Sequence, residues 1–429
     1  MTTSHQATSR PTGPRYPWVV VGLLWFCGFF NYADRQAVFS VFPLLKAEFG
    51  LSNEQKGMIG SAFMLVYALS APLAGYVVDR ASRRILIVAG LAFWSIVCAA
   101  TALARTFNQL LFFRAAEGLG ETFYFPASMS LLADYHGPRT RSRAMSIHQT
   151  SVYAGTALGG IAAGYLGENY GWRSPFWALG LVGLVYAGWL GSRIVEPVRQ
   201  QDDETPRPSP DGAEDELALV LARPSFRENL SVIFRTPAAV MLLAVFGCAN
   251  FVAAVFLTWL TDFVYNKFHL SVTYSAIVAN IFTAASLVGA LSGGVFADLA
   301  ARRPGGRIRV QALGLFVGAP FIYLVGTAST IPLLIVGMIA VGLSKGFYDA
   351  NIFASVYDVV PAKMRGTTAG LMNTIGWAFA SLGPWAIGRA SDRYGLGTAI
   401  GSLSGVYVLG GLLALVAASL AARSQAGAR

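Results

Sequence analysis

Three charged side chains interrupt an apolar stretch that runs from about Leu110 to Ala133. They are Arg114, Glu117 and Glu121, and at spacings of three and four residues they share one face of a helix. A charge near the middle of a bilayer costs roughly 2.5 to 3.5 kcal/mol, so such residues turn inward, find partners and usually mark a substrate or ion path. The spacing therefore predicts a polar cavity inside a membrane protein.

The composition agrees with a membrane setting. Of 429 residues, 55% are hydrophobic and 13% are charged, against about 25% charged in an ordinary soluble domain. Twelve apolar segments of about 20 residues or more are long enough to span a bilayer: 18–41, 57–78, 84–104, 108–133, 143–167, 173–193, 238–264, 272–297, 309–328, 330–358, 366–390 and 397–421. The sequence therefore predicts an all-α membrane protein with twelve transmembrane helices.

The basic residues predict the orientation of the spans. Most of the 32 Lys and Arg fall in the loops on the side of the chain termini, and a minority, including Lys56, fall on the other side. The positive-inside rule then puts both termini in the cytoplasm of a multi-pass protein of the cell membrane, which we take to be a bacterial inner membrane. The net charge of +10 indicates basic loops at an anionic bilayer surface, not a nucleic-acid site.

The chain divides into two halves around a polar linker. Residues 1–17 form a cytoplasmic tail without the features of a cleavable signal peptide. A six-helix bundle at 18–195 is followed by a Pro- and acid-rich cytoplasmic linker at 196–236, a second six-helix bundle at 237–421 and a tail at 422–429. The three cysteines lie in apolar spans with no metal-binding spacing, and we expect no cofactor and a monomer.

The two halves repeat each other. An offset of 224 residues aligns Gly118–Arg141 with Gly342–Arg365, and an offset of 219 aligns Gly75–Arg84 with Gly294–Arg303. Duplicated halves in one orientation are typical of secondary transporters that bind substrate at the midplane between the halves. The two bundles are therefore expected to be pseudo-symmetric.

We expect functional residues at aligned positions where the two halves carry different residue types. Asp34 and Arg35 of the first span align with two alanines of the second half, whereas Glu121 aligns with Lys345. Lys345 and Asp349 are spaced four apart and can pair. Two interpretations stay open for them: a mutually neutralised pair or a contact with substrate.

The loop after the second span carries a family resemblance. Gly75-Tyr-Val-Val-Asp79-Arg80-Ala-Ser-Arg83-Arg84 resembles the loop motif of the major facilitator superfamily, with Ser82 in place of its second glycine. The copy in the second half includes Asp298, Arg302 and Arg303. The resemblance implies two bundles that rock about a central cavity, with these residues forming cytoplasmic contacts that hold one state closed. Alternatively, the arginines only set the topology.

Two branches of that superfamily remain open. Asn31-Tyr32-Ala-Asp34-Arg35, together with Arg114, Gly118, Gly120 and Glu121, resembles the Spinster lipid transporters. The same residues, with Phe125-Pro126-Ala127 and Arg365-Gly366-Thr367, also resemble the anion:cation symporters that move sugar acids and other organic anions.

The buried carboxylates suggest proton coupling. A carboxylate that exchanges an arginine partner for a proton as the bundles rock can couple proton flow to transport. Glu121 is the first choice for this role and Asp34 the second, with Glu117 as a further candidate. Arg35 or Arg114 would hold a substrate carboxylate or phosphate. A static Arg114–Glu117 pair that only joins helices is the alternative.

Several aromatic residues complete the predicted cavity: Tyr32, Tyr124, Tyr153, Tyr348 and Trp377. Enzyme motifs such as a phosphate-binding loop or a nucleophile elbow do not occur in a plausible context. The sequence thus predicts a proton-coupled symporter of a small organic anion that works by alternating access, with a proton-linked carrier of lysolipid or sphingoid molecules as the alternative. A non-transporting sensor on a transporter fold is a third, less favoured class, because no signalling domain is attached.

Overall fold

The computed structural model describes residues 13, 15–78, 80–137, 139–197, 226–301, 303, 305–361 and 364–427, and all regular secondary structure in these ranges is helical. The first six-helix bundle contains α1 (Tyr16–Ser40), α2 (Phe42–Phe49), α3 (Asn53–Val78), α4 (Arg83–Thr101), α5 (Phe107–Glu121), α6 (Tyr124–Tyr135), α7 (Arg141–Ala154), a π-helical turn (Gly155–Gly159), α8 (Gly160–Tyr170) and α9 (Ser174–Arg193).

The second bundle follows a short helix, α10 (Phe226–Arg235). It contains α11 (Pro237–Phe268), α12 (Val272–Ala300), α13 (Gly306–Thr327), α14 (Ile331–Asp349), α15 (Ile352–Tyr357), α16 (Arg365–Tyr394) and α17 (Leu396–Gly427). Each bundle has a buried apolar core of its own, and α3 packs on α16 while α8 packs on α12 across the boundary.

Nine segments of the described chain are long and apolar enough to cross a membrane. The other three predicted spans, 108–133, 143–167 and 366–390, are also helical, as α5 with α6, α7 with α8, and α16. The described residues therefore contain helical segments for all twelve predicted spans. The tail and linker predicted at 1–17 and 196–236 lie mostly outside the described residues.

The fourth span is broken next to its charged residues. α5 ends at Glu121 and α6 begins at Tyr124, and the break has a local cause in Pro126. Proline lacks an amide hydrogen and its ring clashes with the carbonyl four residues earlier, here that of Thr122. The break places Glu121 at the end of a helix in the middle of the bundle.

We call the two ends of the molecule the terminal face and the distal face. The terminal face includes loop residues 136–137, 139–140, 194–197 and 358–361, and the distal face includes loops 50–52, 102–106, 171–173, 269–271 and 328–330. Two glycines with φ of +85° and +80°, Gly171 and Gly395, end α8 and α16 at the distal face. They are 224 residues apart, so the repeat extends to the backbone conformation that favours glycine.

Candidate functional site

Arg35 and Glu121 form a buried ion pair between two helices of the first bundle. Nε of Arg35, on α1, donates a hydrogen bond to Oε2 of Glu121, at the end of α5. Glu121 is fully buried and Arg35 is 7% exposed. Nη1 of Arg35 and Oε1 of Glu121 have no hydrogen-bond partner within the described ranges, so this pair keeps a donor and an acceptor that a bound ligand or water can engage.

Aromatic rings surround the Arg35 guanidinium. Its Cζ lies 4.5 Å from the ring centre of Tyr32, 5.0 Å from that of Phe63 and 5.1 Å from that of Tyr67. Trp377 of α16 in the second bundle lies 5.4 Å away and contacts Tyr67, with ring centres 4.4 Å apart. The structure thus brings together two predicted aromatic residues, Tyr32 and Trp377, with Phe63 and Tyr67, which the sequence analysis missed. Cation–π attraction holds the guanidinium between the bundles.

A second ion pair lies on the same face of α5. Nη1 of Arg114 donates to Oε2 of Glu117, the pair expected from their three-residue spacing. Arg114 is fully buried, its Cζ lies 4.9 Å from the Phe63 ring centre, and no described residue forms a hydrogen bond with its Nε or Nη2. Phe63 therefore separates the two arginines and contacts both.

Among the described residues, Asp34 has no ion-pair partner. It is 1% exposed, and neither of its oxygens has a nitrogen or oxygen hydrogen-bond partner in the described part of the chain. The Cys98 thiol of α4 lies beside it. Asn31, one turn earlier on α1, is also buried, and its amide has no hydrogen-bond partner among the residues that the structure describes.

The charges of the five ionisable side chains described above do not cancel. Asp34, Glu117 and Glu121 interact electrostatically with one another and with Arg35 and Arg114. Three carboxylates against two guanidiniums leave one negative charge in a buried site, which is costly unless a proton or another cation neutralises it.

The second bundle contributes a smaller charged group. Nζ of Lys345 donates to Oδ2 of Asp349 on α14, and their side chains are 18% and 33% exposed. Tyr153 of the first bundle interacts electrostatically with this pair. Both open interpretations, a neutralised pair and a substrate contact, fit partly exposed groups that face the other bundle.

Two predicted cavity residues are packed inside single bundles. Tyr124 is 1% exposed, donates a 2.6 Å hydrogen bond to the Leu24 carbonyl, and lies 2.8 Å from Nε2 of His148. Tyr348 is also 1% exposed and its hydroxyl has no partner. In this conformation their hydroxyls have no exposed surface, so their roles in binding stay predictions.

The motif loop makes contacts within its own bundle. Nε of Arg83 donates to Oε1 of Glu196 at 2.9 Å, and its Nη1 donates to Asp134. Arg84 Nη2 donates to the Gly191 carbonyl, and Arg80 lies over the Tyr76 ring, 3.6 Å from its centre. Gly75 faces open space, and Asp79 lies outside the described residues. The predicted role of this loop in closing one state stays a prediction.

At the corresponding corner of the second bundle, Arg307 forms the ion pairs. Arg307 donates to Asp298 at 3.0 Å and to Asp358 at 3.2 Å. Asp358 lies 224 residues after Asp134, and Arg307 lies 224 residues after Arg83, so the two corners correspond in this register. Arg303 is exposed and Arg302 lies outside the described residues.

A buried ion pair between the bundles was missed by the sequence analysis. Nζ of Lys56 donates to Oδ2 of Asp262 at 2.6 Å, and both side chains are buried. Counting Lys56 among the loop residues was wrong, because it lies in the first turn of α3. Asp262 lies within an apolar span, and the cost of burying such a charge was the signal that could have identified it.

Comparisons with known proteins agree with this architecture. The family model described as Major Facilitator Superfamily matches residues 24–384. A hexuronate transporter of Bacillus subtilis (strain 168) is 25% identical over 411 residues, which cover 93% of this chain and 92% of that protein. Protein spinster of Drosophila melanogaster is 26% identical over 397 residues, which cover 88% of this chain and 62% of that protein.

A solved structure shares the fold. The crystal structure of a bacterial homolog to the human lysosomal transporter Spinster, in an inward-facing and unoccupied conformation, superposes with a TM-score of 0.83. It is 20% identical, and the alignment covers 96% of this chain and 99% of that one. At this identity the likeness concerns the fold.

Proposed function

The chain belongs to the Major Facilitator Superfamily and is a secondary transporter, and from that premise we propose that it carries a small organic anion together with a proton. The anion is a carboxylate or sugar acid. The observation that carries this proposal is the Arg35–Glu121 pair, in which a buried guanidinium keeps one free donor next to a carboxylate.

Arg35 is suited to the anion. A guanidinium binds a carboxylate through two parallel hydrogen bonds, and Arg35 uses only its Nε for Glu121. The surrounding rings offer flat apolar surfaces to the rest of a sugar acid. The similarity to a hexuronate transporter supports this substrate class.

Glu121 is suited to the proton. When a substrate carboxylate takes its place on Arg35, the buried Glu121 carboxylate loses its positive partner and takes up a proton from water. When the substrate leaves, the proton leaves and the Arg35–Glu121 pair forms again. Proton and anion therefore move in the same direction.

Asp34 is proposed to hold a second proton in the conformation described here. The excess negative charge of the cluster requires a cation, and Asp34 is the member without an ion-pair partner. Its protonated form would balance two carboxylates against two guanidiniums. Glu117 then serves mainly to pair Arg114.

Interior pH in proteoliposomes tests the proposal. With an inward proton gradient, a transported hexuronate should acidify the interior, whereas the matching neutral hexose should not. Glu121→Gln should remove this acidification while leaving the protein folded. A Glu121→Gln protein that still concentrates hexuronate under a pH gradient would contradict the role of Glu121.

The same assay separates the alternative substrate class. If soluble carboxylates and sugar acids all fail to acidify the interior but a labelled lysophospholipid crosses the bilayer, the protein is a lipid carrier. The similarity to protein spinster is the reason to test a lysophospholipid in the same assay.

Orientation and assembly belong to the same proposal. We propose that the terminal face, which carries the basic loops, lies on the cytoplasmic side of a bacterial inner membrane and that the distal face lies outside. Both bundles that enclose the path come from one chain, so a monomer suffices for transport. Proteolysis of intact cells and of inverted vesicles at the linker 196–236 tests the orientation.

A further inference from the structure

We propose that the distal face is closed by a gate of three contacts between the bundles: two carboxylate helix caps related by the internal repeat, and the buried Lys56–Asp262 ion pair. The proposal rests on alternating access but not on which anion or coupling ion is carried. It assigns functions to Glu168, Asp392, Lys56 and Asp262.

One cap joins the second bundle to the start of α3. The carboxylate of Asp392, near the end of α16, accepts hydrogen bonds from the amides of Asn53 at 3.1 Å and Glu54 at 2.9 Å. These amides belong to the first turn of α3, where backbone donors have no partner within the helix. A carboxylate at this position also interacts favourably with the helix dipole.

The other cap joins the first bundle to the start of α12. The carboxylate of Glu168, near the end of α8, accepts a 2.9 Å hydrogen bond from the amide of Thr273 and a second hydrogen bond from its hydroxyl. Ser271 caps the same turn from within the second bundle by accepting from Tyr274. Glu168 therefore adds a contact that exists only while the two bundles are together.

The two caps occupy corresponding positions in the repeat. Glu168 and Asp392 are separated by the offset of 224, and Glu54 and Thr273 by the offset of 219. A close glycine contact precedes each acid by one turn. A Cβ on Gly388 would lie 2.4 Å from the Asn53 carbonyl oxygen, and a Cβ on Gly164 would lie 3.1 Å from Cβ of Ala276. Acid and glycine together fit each helix end to the opposite bundle.

The Lys56–Asp262 pair lies deeper than the caps. The ammonium of Lys56 is 5.2 Å from the Trp259 ring centre, and neither side chain of the pair is exposed. Lys56 follows Glu54 by two residues on α3, so the cap by Asp392 and the ion pair act on the same turn. When the distal face opens, this pair must separate and both charges must be hydrated.

The three contacts have unequal weights. The caps are near water, and loss of an N-terminal cap changes an equilibrium by about five-fold. Removing one member of a buried ion pair leaves an uncompensated charge, which changes an equilibrium by at least about 100-fold. We therefore expect the ion pair to set the closed state and the two caps to adjust it.

Electron–electron distance measurements test the gate without substrate. Spin labels at Leu103 and Ser329, exposed residues in distal loops of opposite bundles, report opening in nanodiscs once Cys27, Cys98 and Cys248 are replaced by alanine. Glu168→Ala and Asp392→Ala should each raise the open-to-closed ratio about five-fold. Because the two caps share no residues, the double variant should raise it about 25-fold.

Glu48→Ala is the matched control. Glu48 is also an acid near the distal face, but it pairs with Arg173 of its own bundle at 3.0 Å, so its loss should leave the ratio unchanged. If the two cap variants behave like Glu48→Ala, the caps do not form a gate.

Two double variants test the ion pair itself. Lys56→Met alone should raise the open-to-closed ratio by at least about 100-fold. Lys56→Met with Asp262→Leu should close the face again, because two apolar residues replace a buried pair without an orphan charge. Should Lys56→Met misfold, the exchange of Lys56→Asp with Asp262→Lys keeps both charges, and it should close the face as the unaltered protein does. A ratio unchanged in Lys56→Met, or an exchanged pair that stays open, would overturn the assignment.

Discussion

The two bundles share a helical plan but differ in the charges at their centres. The first bundle buries Asp34, Arg35, Arg114, Glu117 and Glu121, whereas the second places only the partly exposed Lys345–Asp349 pair in the corresponding helix. At the distal face, by contrast, the acids that cap α3 and α12 come from corresponding positions of both bundles. A duplicated fold can thus keep symmetric contacts where the bundles meet and specialise one bundle for ion chemistry.

Arg35→Lys should have the largest effect on transport. Lysine keeps a positive charge beside Glu121 but lacks the planar fork that holds a carboxylate, so uptake should fall by about 100-fold with little loss of stability. Uptake of labelled hexuronate and thermal unfolding in detergent measure the two quantities.

Arg35→Gln, unlike Arg35→Lys, also removes the positive charge beside Glu121. It leaves Glu121 buried without its partner and should destabilise the protein by about 3–5 kcal/mol. Adding Glu121→Gln should restore the stability but not the uptake. Restored uptake in the double variant would mean that the pair is structural.

Asp34→Asn should weaken the coupling of transport to the proton gradient. The amide removes the proposed second proton site but keeps the size of the side chain, so the protein should still exchange labelled for unlabelled substrate across the membrane. Uphill accumulation should fall by about ten-fold for each pH unit of the gradient, because one coupled proton is worth about 1.4 kcal/mol per pH unit. Accumulation at the original level, measured in the same liposomes as exchange, would place the second proton elsewhere.

Lys345→Gln should have a smaller effect, and it sharpens the comparison of the bundles. Because its pair is partly exposed, its loss should change stability by less than about 1 kcal/mol. If Lys345 contacts substrate, KM for the anion should rise several-fold while the proton-to-substrate ratio is unchanged. If the pair only neutralises itself, KM should not change. A loss of coupling would show that the second bundle also carries the ion chemistry.

Local sequence spacing predicted part of this site. The Arg114–Glu117 pair follows from a three-residue spacing on one helix, and Pro126 is a readable signal for the break beside Glu121. The Arg35–Glu121 pair joins helices 86 residues apart, so its geometry depends on how α1 packs on α5. Both residues were nevertheless identified, because buried charges in apolar spans are rare.

Contacts between bundles were harder to predict. Lys56 falls at the start of a span, where hydropathy alone cannot distinguish a loop from the first helical turn. Its partner Asp262 lies 206 residues away. The caps by Glu168 and Asp392 were also missed, although the offset of 224 residues, carried further along the chain, aligns Gly164 with Gly388, one turn before each acid. Alignment of the halves shows which residues correspond, whereas only the packed structure shows which of them meet.

Glu196→Gln should give the smallest effect and compares the bundles at the terminal face. Partial burial opposes ionisation of Glu196, but hydrogen bonds from the Arg84 and Arg83 amides, the Ser82 hydroxyl and the Arg83 guanidinium outweigh it. These bonds hold the pKa of Glu196 below its ordinary value of 4.5. A lowered pKa in the folded state stabilises the fold above about pH 4.5, and this contribution is lost as the pH falls through the folded-state value.

Thermal unfolding at pH 7.5, 5.5 and 4 checks this sign. Glu196→Gln should lower the unfolding midpoint by about 1–2 °C at the two higher pH values, and the difference from the unaltered protein should shrink at pH 4. Asp358→Asn is the matched change in the second bundle, where the carboxylate pairs with Arg307. Glu196 also accepts hydrogen bonds from two backbone amides at the start of α4. In the described part of the chain, the hydrogen bonds that Asp358 accepts from a side chain come from Arg307. Glu196→Gln should therefore lower the unfolding midpoint more than Asp358→Asn does. If both variants lower the unfolding midpoint equally, or if the effect of Glu196→Gln on the midpoint grows toward pH 4, the hydrogen bonds from Glu196 to α4 do not add stability beyond that of the Asp358–Arg307 pair.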